Sequence, residues 1–283
     1  YIKQGLSIYY PVDSNDVALY ESDGELYYHP VKIAKMALYF LDGYAQTGNI
    51  EYIERAEQYM NTLIDLAHEY DGVLYYNYSF DWPLHRIETD VMVSPWYSGM
   101  AEGQSLSALV RLYKVTGKEK YLTAAEKTFD SFLRFRRSSV PWVVRIDVQN
   151  YYWIEEWPWT IPTQALNGFI FAIFGLYDYY QLTSDPVCKK LLQAGLTTIR
   201  DYADAYRVEG AMSLYCLYHR LPVEFYHQVH IDQMWQLFLI TGDSYFYDMS
   251  RKLAEDYTPG ELTQVKNGLE KSPSFEEFHF PKH

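Results

Sequence analysis

The chain has 283 residues, 48% of them apolar, and a formal net charge of −13. That length allows one large domain or two smaller ones. The acidic balance argues against nucleic acid, whose phosphates call for a basic surface, and no stretch reaches the ~18 uncharged apolar residues of a membrane span.

Residues 1–28 read as an extended, partly β N-terminal segment, with Asp23-Gly24 turn chemistry inside "ALYESDGELYYH". From 29 to 257 the chain repeats itself loosely. "ALYFLDGYAQTGNIEYIERAEQYMNTLIDLA" (37–67) resembles "ALVRLYKVTGKEKYLTAAEKTFDSFL" (108–133) and "QLFLITGDSYFYDMSRKLAEDY" (236–257), with a weaker copy at 175–203. Each copy is an apolar-periodic helix, then Thr-Gly or Thr-Ser, then a polar pair, then a second helix. Glycine past a helix end is a C-cap signal; Asn49, Asp185 and Asp243 read as N-caps of the helices that follow. The marks recur at intervals of roughly 60–70 residues, too long for a simple helical solenoid. The expected fold is therefore mainly α: an incomplete α/α barrel of helix hairpins separated by elaborate loops. Three stretches in those loops, 72–80, 141–148 and 210–218, are β-branched or aromatic and partly alternating, and read as short β-hairpins at the mouth. The tail, 258–283, is polar and reads as irregular.

Thirty tyrosines bring the aromatic share to 18%. A ring with a hydroxyl edge suits sugars, which have apolar C–H faces and polar rims. Candidate chemistry lies in four stretches. "SPWYSGMAEGQSLSALVRLY" (94–113) carries Tyr97, Glu102 and Gln104 among small residues that allow either close ligand approach or tight helix packing. "YYWIEEWPWTIP" (151–162) places Glu155 and Glu156 inside a wall of aromatics. Desolvation raises a carboxyl's pKa and suits it to proton transfer near neutrality. The competing role is a cap or an ion pair with Arg145. "LYCLYHR" (214–220) and "EFYHQVHIDQ" (224–233) bring tyrosines and histidines together. His227 and His230 with Asp232 hint at a metal, but there is no H-E-x-x-H and no further ligand at strong spacing, so no metal is expected. Cys188 and Cys216 have no metal or redox spacing. Serine-nucleophile, nucleotide and dinucleotide motifs are missing, and no cofactor is expected. No leader segment is read at the start, and either a cytoplasmic or a secreted location is compatible with the sequence.

In this order, "SPWYSGMAEGQSLSALVRLY", "WIEEWP", "ALNGFIFAIFGLYDYY" and "YHQVHIDQMWQL" resemble the C-terminal region of the D-glucuronyl C5-epimerase family, over residues from about 30 to 257. The W-Y-S-x-M-A-x-G-Q run is the most specific part. The resemblance implies an α/α barrel that turns D-glucuronic acid into L-iduronic acid within a heparosan- or heparan-like polysaccharide. Inverting C5 needs two proton carriers and a way to neutralise the C6 carboxylate, and in principle no metal or nucleotide. By match to the family motif the proton carriers are Glu156 and Tyr226, with Tyr215 as a further site tyrosine. Tyr97, Glu102, Gln104, Arg145, Trp157, Asn167, Tyr218, His219, Arg220, His227 and His230 form the implied substrate-binding set. Animal members carry a tyrosine where this chain has Trp157, and an arginine where it has Tyr218. A uronic-acid polysaccharide is the implied partner, and the family is compatible with a homodimer. A polysaccharide lyase or a non-catalytic carbohydrate-binding protein shares much of this pattern. A glycoside hydrolase fits less well, because adjacent glutamates do not by themselves span the ~5–9.5 Å between paired carboxylates.

Overall fold

A computed structural model describes residues 11–137 and 141–258; the expectations for 1–10 and for the tail beyond Thr258 lie outside them. The chain divides into two compact units, 1–201 and 202–283. Eight helices form four consecutive hairpins among the described residues: α1 (Pro30–Thr47) with α2 (Glu51–Leu66), α3 (Gly99–Thr116) with α4 (Glu119–Phe129), α5 (Leu166–Thr183) with α6 (Pro186–Tyr206), and α7 (Glu224–Thr241) with α8 (Ser244–Asp256). No helix among the described residues is long and apolar enough to cross a membrane.

The repeated Thr-Gly mark is a corner with one design used four times. Each first helix ends in threonine: Thr47, Thr116, Thr183 and Thr241. Its hydroxyl donates back to the carbonyl four residues earlier, at 2.6, 2.7, 2.9 and 2.7 Å in turn. The same oxygen accepts the N–H two residues on, at 3.2, 3.3, 3.2 and 3.1 Å. One side chain thus back-bonds into the last turn of its helix and caps the N–H just beyond the corner. The residue between is left-handed: Gly48, Gly117 and Gly242 at φ 67, 66 and 70°, and Ser184 at φ 54°. Asn49, Asp185 and Asp243 then cap the next helix through their side-chain oxygens. A left-handed residue with a Cβ costs about 1–2 kcal/mol. Ser184→Gly is therefore expected to raise the unfolding free energy read from a urea titration, and Gly117→Ala to lower it, each by about 1 kcal/mol.

In the first unit α3 is enclosed, with residues 99–110 and Leu112 all buried. It packs against α1, α4 and α5. The outer helix α2 buries one stripe, Ile53, Ala56, Tyr59, Met60 and Leu63, and turns its charged side to solvent. The small residues of α3 serve this packing. A Cβ on Gly103 would lie 2.3 Å from Ala172 Cα, and one on Gly175 would lie 2.1 Å from the Gly103 carbonyl oxygen. The two backbones meet where the side chains are absent at Gly103 and Gly175 and smallest at Ala172.

The strands form four antiparallel pairs: β1 (Tyr20–Ser22) with β2 (Glu25–Tyr27), β3 (His68–Tyr70) with β4 (Val73–Tyr75), β5 (Trp82–Pro83) with β6 (Val91–Met92), and β7 (Val144–Ile146) with β8 (Tyr152–Ile154). Asp23-Gly24 and Asp71-Gly72 close the first two with positive φ at both positions, as a tight hairpin turn requires. The stretch 210–218, read as a strand, is not one. A single bridge joins Leu214 to Pro222. The chain turns back at once, with Arg220 N–H on the Cys216 carbonyl at 3.2 Å, and Pro222 has no N–H to extend a ladder.

Candidate active site

The residues of interest lie in the loops joining one hairpin to the next and in helices α3, α5 and α7. In the first unit, hairpin β7–β8 delivers the two glutamates. Its end docks on the start of α3, where Gly99 N–H donates to the Glu155 carbonyl at 2.8 Å. A Cβ on Gly99 would stand 2.5 Å from Ile154 Cγ2 and block this approach.

Adjacent residues leaving a strand point to opposite sides, and the two carboxylates have different surroundings. Glu155 is wholly buried. Its Oε1 accepts from Arg145 Nε–H at 2.8 Å, and its Oε2 accepts from Gln164 N–H at 2.9 Å and the Thr163 hydroxyl at 3.3 Å. Arg145 faces Trp153 across the hairpin and lays its guanidinium over that ring, 5.6 Å from the centroid. Arg145, expected near a sugar carboxylate, is thus held in a buried ion pair with Glu155. Glu156 is 6% exposed and lies across Gly168 in the first turn of α5. A Cβ at Gly168 would fall 2.5 Å from both Glu156 Cβ and Oε2. Glycine makes the seat for this carboxylate, at the helix end where the dipole favours negative charge. Asn167, beside Gly168, is fully buried.

Trp157, next in sequence, and Tyr78 bring aromatic rings of the first unit near this seat. Trp157 meets His85 edge-on, with centroids 5.3 Å apart at 90°. Tyr78 stacks on Trp96 at 3.7 Å and 8°. Burial pushes the Tyr78 hydroxyl far above its usual range, with the Glu156 charge adding to the rise. Phe80 continues the wall, 5.8 Å from Tyr78 and 5.3 Å from Tyr20. The Tyr97 hydroxyl is 2.9 Å from His68 Nδ1 and 3.3 Å from the Tyr70 hydroxyl. Glu102 is buried in α3 and accepts Tyr76 N–H at 2.9 Å. Burial raises its carboxyl well above the usual range and the Tyr76 hydrogen bond opposes this. Gln104 is buried in the same helix. Tyr78, His85, His68 and Tyr70 were not singled out as site residues. The alternation Tyr76, Tyr78, Phe80 inside 72–80 was the available signal for Tyr78.

In the second unit, Tyr226 lies in the first turn of α7 and Tyr215 in the preceding loop. Their rings meet at 88°, centroids 4.4 Å apart. Beside them, His219 Nδ1 is 3.3 Å from Cys216 Sγ, and the half-exposed Tyr218 stacks edge-on against the His219 ring. Arg220 takes a left-handed φ of 54°. His227 is buried, accepting Ser213 N–H at Nδ1 (2.9 Å) and donating from Nε2 to the carbonyls of Leu253 (3.1 Å) and Tyr257 (3.0 Å). His230 Nδ1 meets the Ser213 hydroxyl at 2.9 Å. Both histidines therefore hold the loop that carries Tyr215 against α7. Asp232 accepts from Gln228 Nε2 at 2.9 Å. Burial, then the His227 charge, lower the His230 pKa to about 3. Its imidazole is expected to stay neutral from pH 7 down to 5, read as constant ring carbon shifts in an NMR titration.

A family model described as D-glucuronyl C5-epimerase C-terminus matches residues 70–255. The D-glucuronyl C5-epimerase of Caenorhabditis elegans is 31% identical over 160 residues, which cover 50% of this chain and 25% of that protein. An uncharacterized protein of Methanocaldococcus jannaschii is 26% identical over 182 residues, covering 64% of this chain and 57% of that one. The chain thus spans from a quarter to somewhat over half of these relatives' lengths. Among solved structures, the GH76A α-1,6-mannanase of Salegentibacter sp. HEL1_6 aligns with TM-score 0.61 at 16% identity, covering 92% of this chain and 69% of that one. A cellobiose 2-epimerase from Bacillus thermoamylovorans aligns with TM-score 0.59 at 11% identity, covering 90% and 70%. These likenesses show the fold, which is of the α/α-barrel type. With the match running through the W-Y-S-x-M-A-x-G-Q helix, the glutamate pair and the start of α7, the chain belongs to the D-glucuronyl C5-epimerase C-terminal family.

Proposed function

We propose that this chain is a carbohydrate epimerase that inverts C5 of D-glucuronic acid residues in a heparosan- or heparan-like polysaccharide. The C5 proton is acidic because the neighbouring carboxylate can take up charge as an enolate. One group removes that proton and a second returns one to the other face. Glu156 and Tyr226 are the two proton carriers, and Tyr215 assists Tyr226, its ring neighbour. The observation that carries this reading is the difference in surroundings between the two glutamates. Glu155 is tied to Arg145, Thr163 and Gln164, while Glu156 is seated on Gly168 within the aromatic wall.

The deciding experiment is incubation with heparosan in deuterated water, with C5 read by NMR. Epimerisation gives deuterium at C5 and iduronate signals with every chain bond intact. An ultraviolet-absorbing unsaturated sugar would instead show a lyase, and binding without exchange would show a lectin-like protein. Tyr226→Phe is expected to lower exchange by about 10²–10⁴-fold, the range for a lost general acid or base. Unchanged exchange in that variant would remove Tyr226 from the mechanism.

A further inference from the structure

C5 chemistry on a uronate needs the charge of the C6 carboxylate to be neutralised, and one obvious source is closed. Arg145 is buried in its pair with Glu155. The loop between β5 and β6 offers another. Three backbone hydrogen bonds tie it, Leu84 N–H to Asp90 O (2.7 Å), Ile87 N–H to Leu84 O (2.9 Å) and Asp90 N–H to Ile87 O (3.1 Å). Within it, His85 and Arg86 are consecutive left-handed residues, at φ 52° and 63°. Neither has the freedom of glycine, and such strain persists only where its surroundings enforce it, most often at functional sites.

The strain has a geometric result. His85 packs edge-on against Trp157, the neighbour in sequence of Glu156. Arg86, one residue on, is exposed, with no carboxylate in ion-pair reach among the described residues. Burial raises the pKa of the Tyr20 hydroxyl, and the Arg86 charge offsets part of that rise. Tyr20 in turn stacks on Phe80, which packs on Tyr78 of the Glu156 wall. An exposed guanidinium in an acidic chain thereby sits one residue from the His85–Trp157 contact. Its planar fork matches a carboxylate in a way that an ammonium does not.

We propose that Arg86, held by the strained His85–Arg86 turn against Trp157, binds the carboxylate of the uronic acid residue on which Glu156 acts. This assignment rests on the epimerase reading above, and its test separates the two. Arg86→Gly suits the left-handed backbone, so its thermal midpoint is expected at or above that of wild type. Arg86→Gln provides a second variant that keeps a side chain. Heparosan binding by calorimetry is expected to weaken about 10- to 100-fold in both, the range for one lost charge-assisted contact. Binding of carboxyl-reduced heparosan, which presents a hydroxymethyl group in place of the carboxylate, is expected to be the same in all three proteins. Wild-type C5 exchange together with undiminished heparosan binding by the variants would overturn the Arg86 assignment and leave the epimerase reading standing. Equal weakening toward the intact and the reduced polymer would also overturn it. Wild-type protein that neither binds nor exchanges heparosan would remove the epimerase reading and this assignment with it.

Discussion

Glu156→Gln is expected to lower C5 exchange by about 10²–10⁴-fold, the contribution of one positioned acid or base, with a melting curve close to wild type. The substitution keeps the shape of the side chain, so the amide occupies the same seat over Gly168. It removes the ability to take and hold a proton. The loss should fall on kcat, with KM for the polymer little changed, because the interaction matters most in the transition state. Retention of full exchange would refute Glu156 as a proton carrier, whatever the effect on stability.

The neighbouring substitution should behave in the opposite way. Glu155→Gln removes the anion that neutralises Arg145, whose side chain is only 9% exposed. Breaking one side of a buried ion pair costs about 3–5 kcal/mol, because the other charge is left without compensation. The Thr163 hydroxyl and Gln164 N–H also lose an ionised acceptor. A urea titration is therefore expected to show a large drop in midpoint. Exchange per folded molecule should stay far closer to wild type than that of Glu156→Gln. Two glutamates in sequence would then separate cleanly into a structural and a chemical residue. A small stability loss in Glu155→Gln would show that the Arg145 pair adds little to the fold.

Much of the scaffold was legible because its signals are local. The Thr-Gly marks, the caps at Asn49, Asp185 and Asp243 and the helical periodicity each lie within a few residues, and the four hairpins follow from them. The strands were harder. β3 and β8 are three residues each, too short for alternation to declare itself, and both were missed as partners of the segments that were found. The stretch 210–218 has strand composition but ends in a turn and a proline, so pairing stops after one bridge. Within the candidate site, the resemblance already singled out Glu156, but that Glu155 is the one paired with Arg145 and Glu156 the one lying over Gly168 needed the fold. The two readings of the small residues in α3 were likewise open until Gly103 met Ala172 of α5. The turn at His85 and Arg86 left no trace in composition. Left-handed backbone is usually announced by glycine or asparagine, and here it is occupied by a histidine and an arginine.

The fourfold threonine corner bears on how such a protein can diverge. Each hairpin closes at one end with the same few atoms, and those atoms are satisfied within seven residues of chain. The opposite ends open into loops as different as 67–98, 134–165 and 207–223. Mutation can therefore rewrite the loops without disturbing the closures, and the closures need no knowledge of the chemistry. Substrate preference is free to drift on one side of every hairpin while the frame is inherited intact on the other.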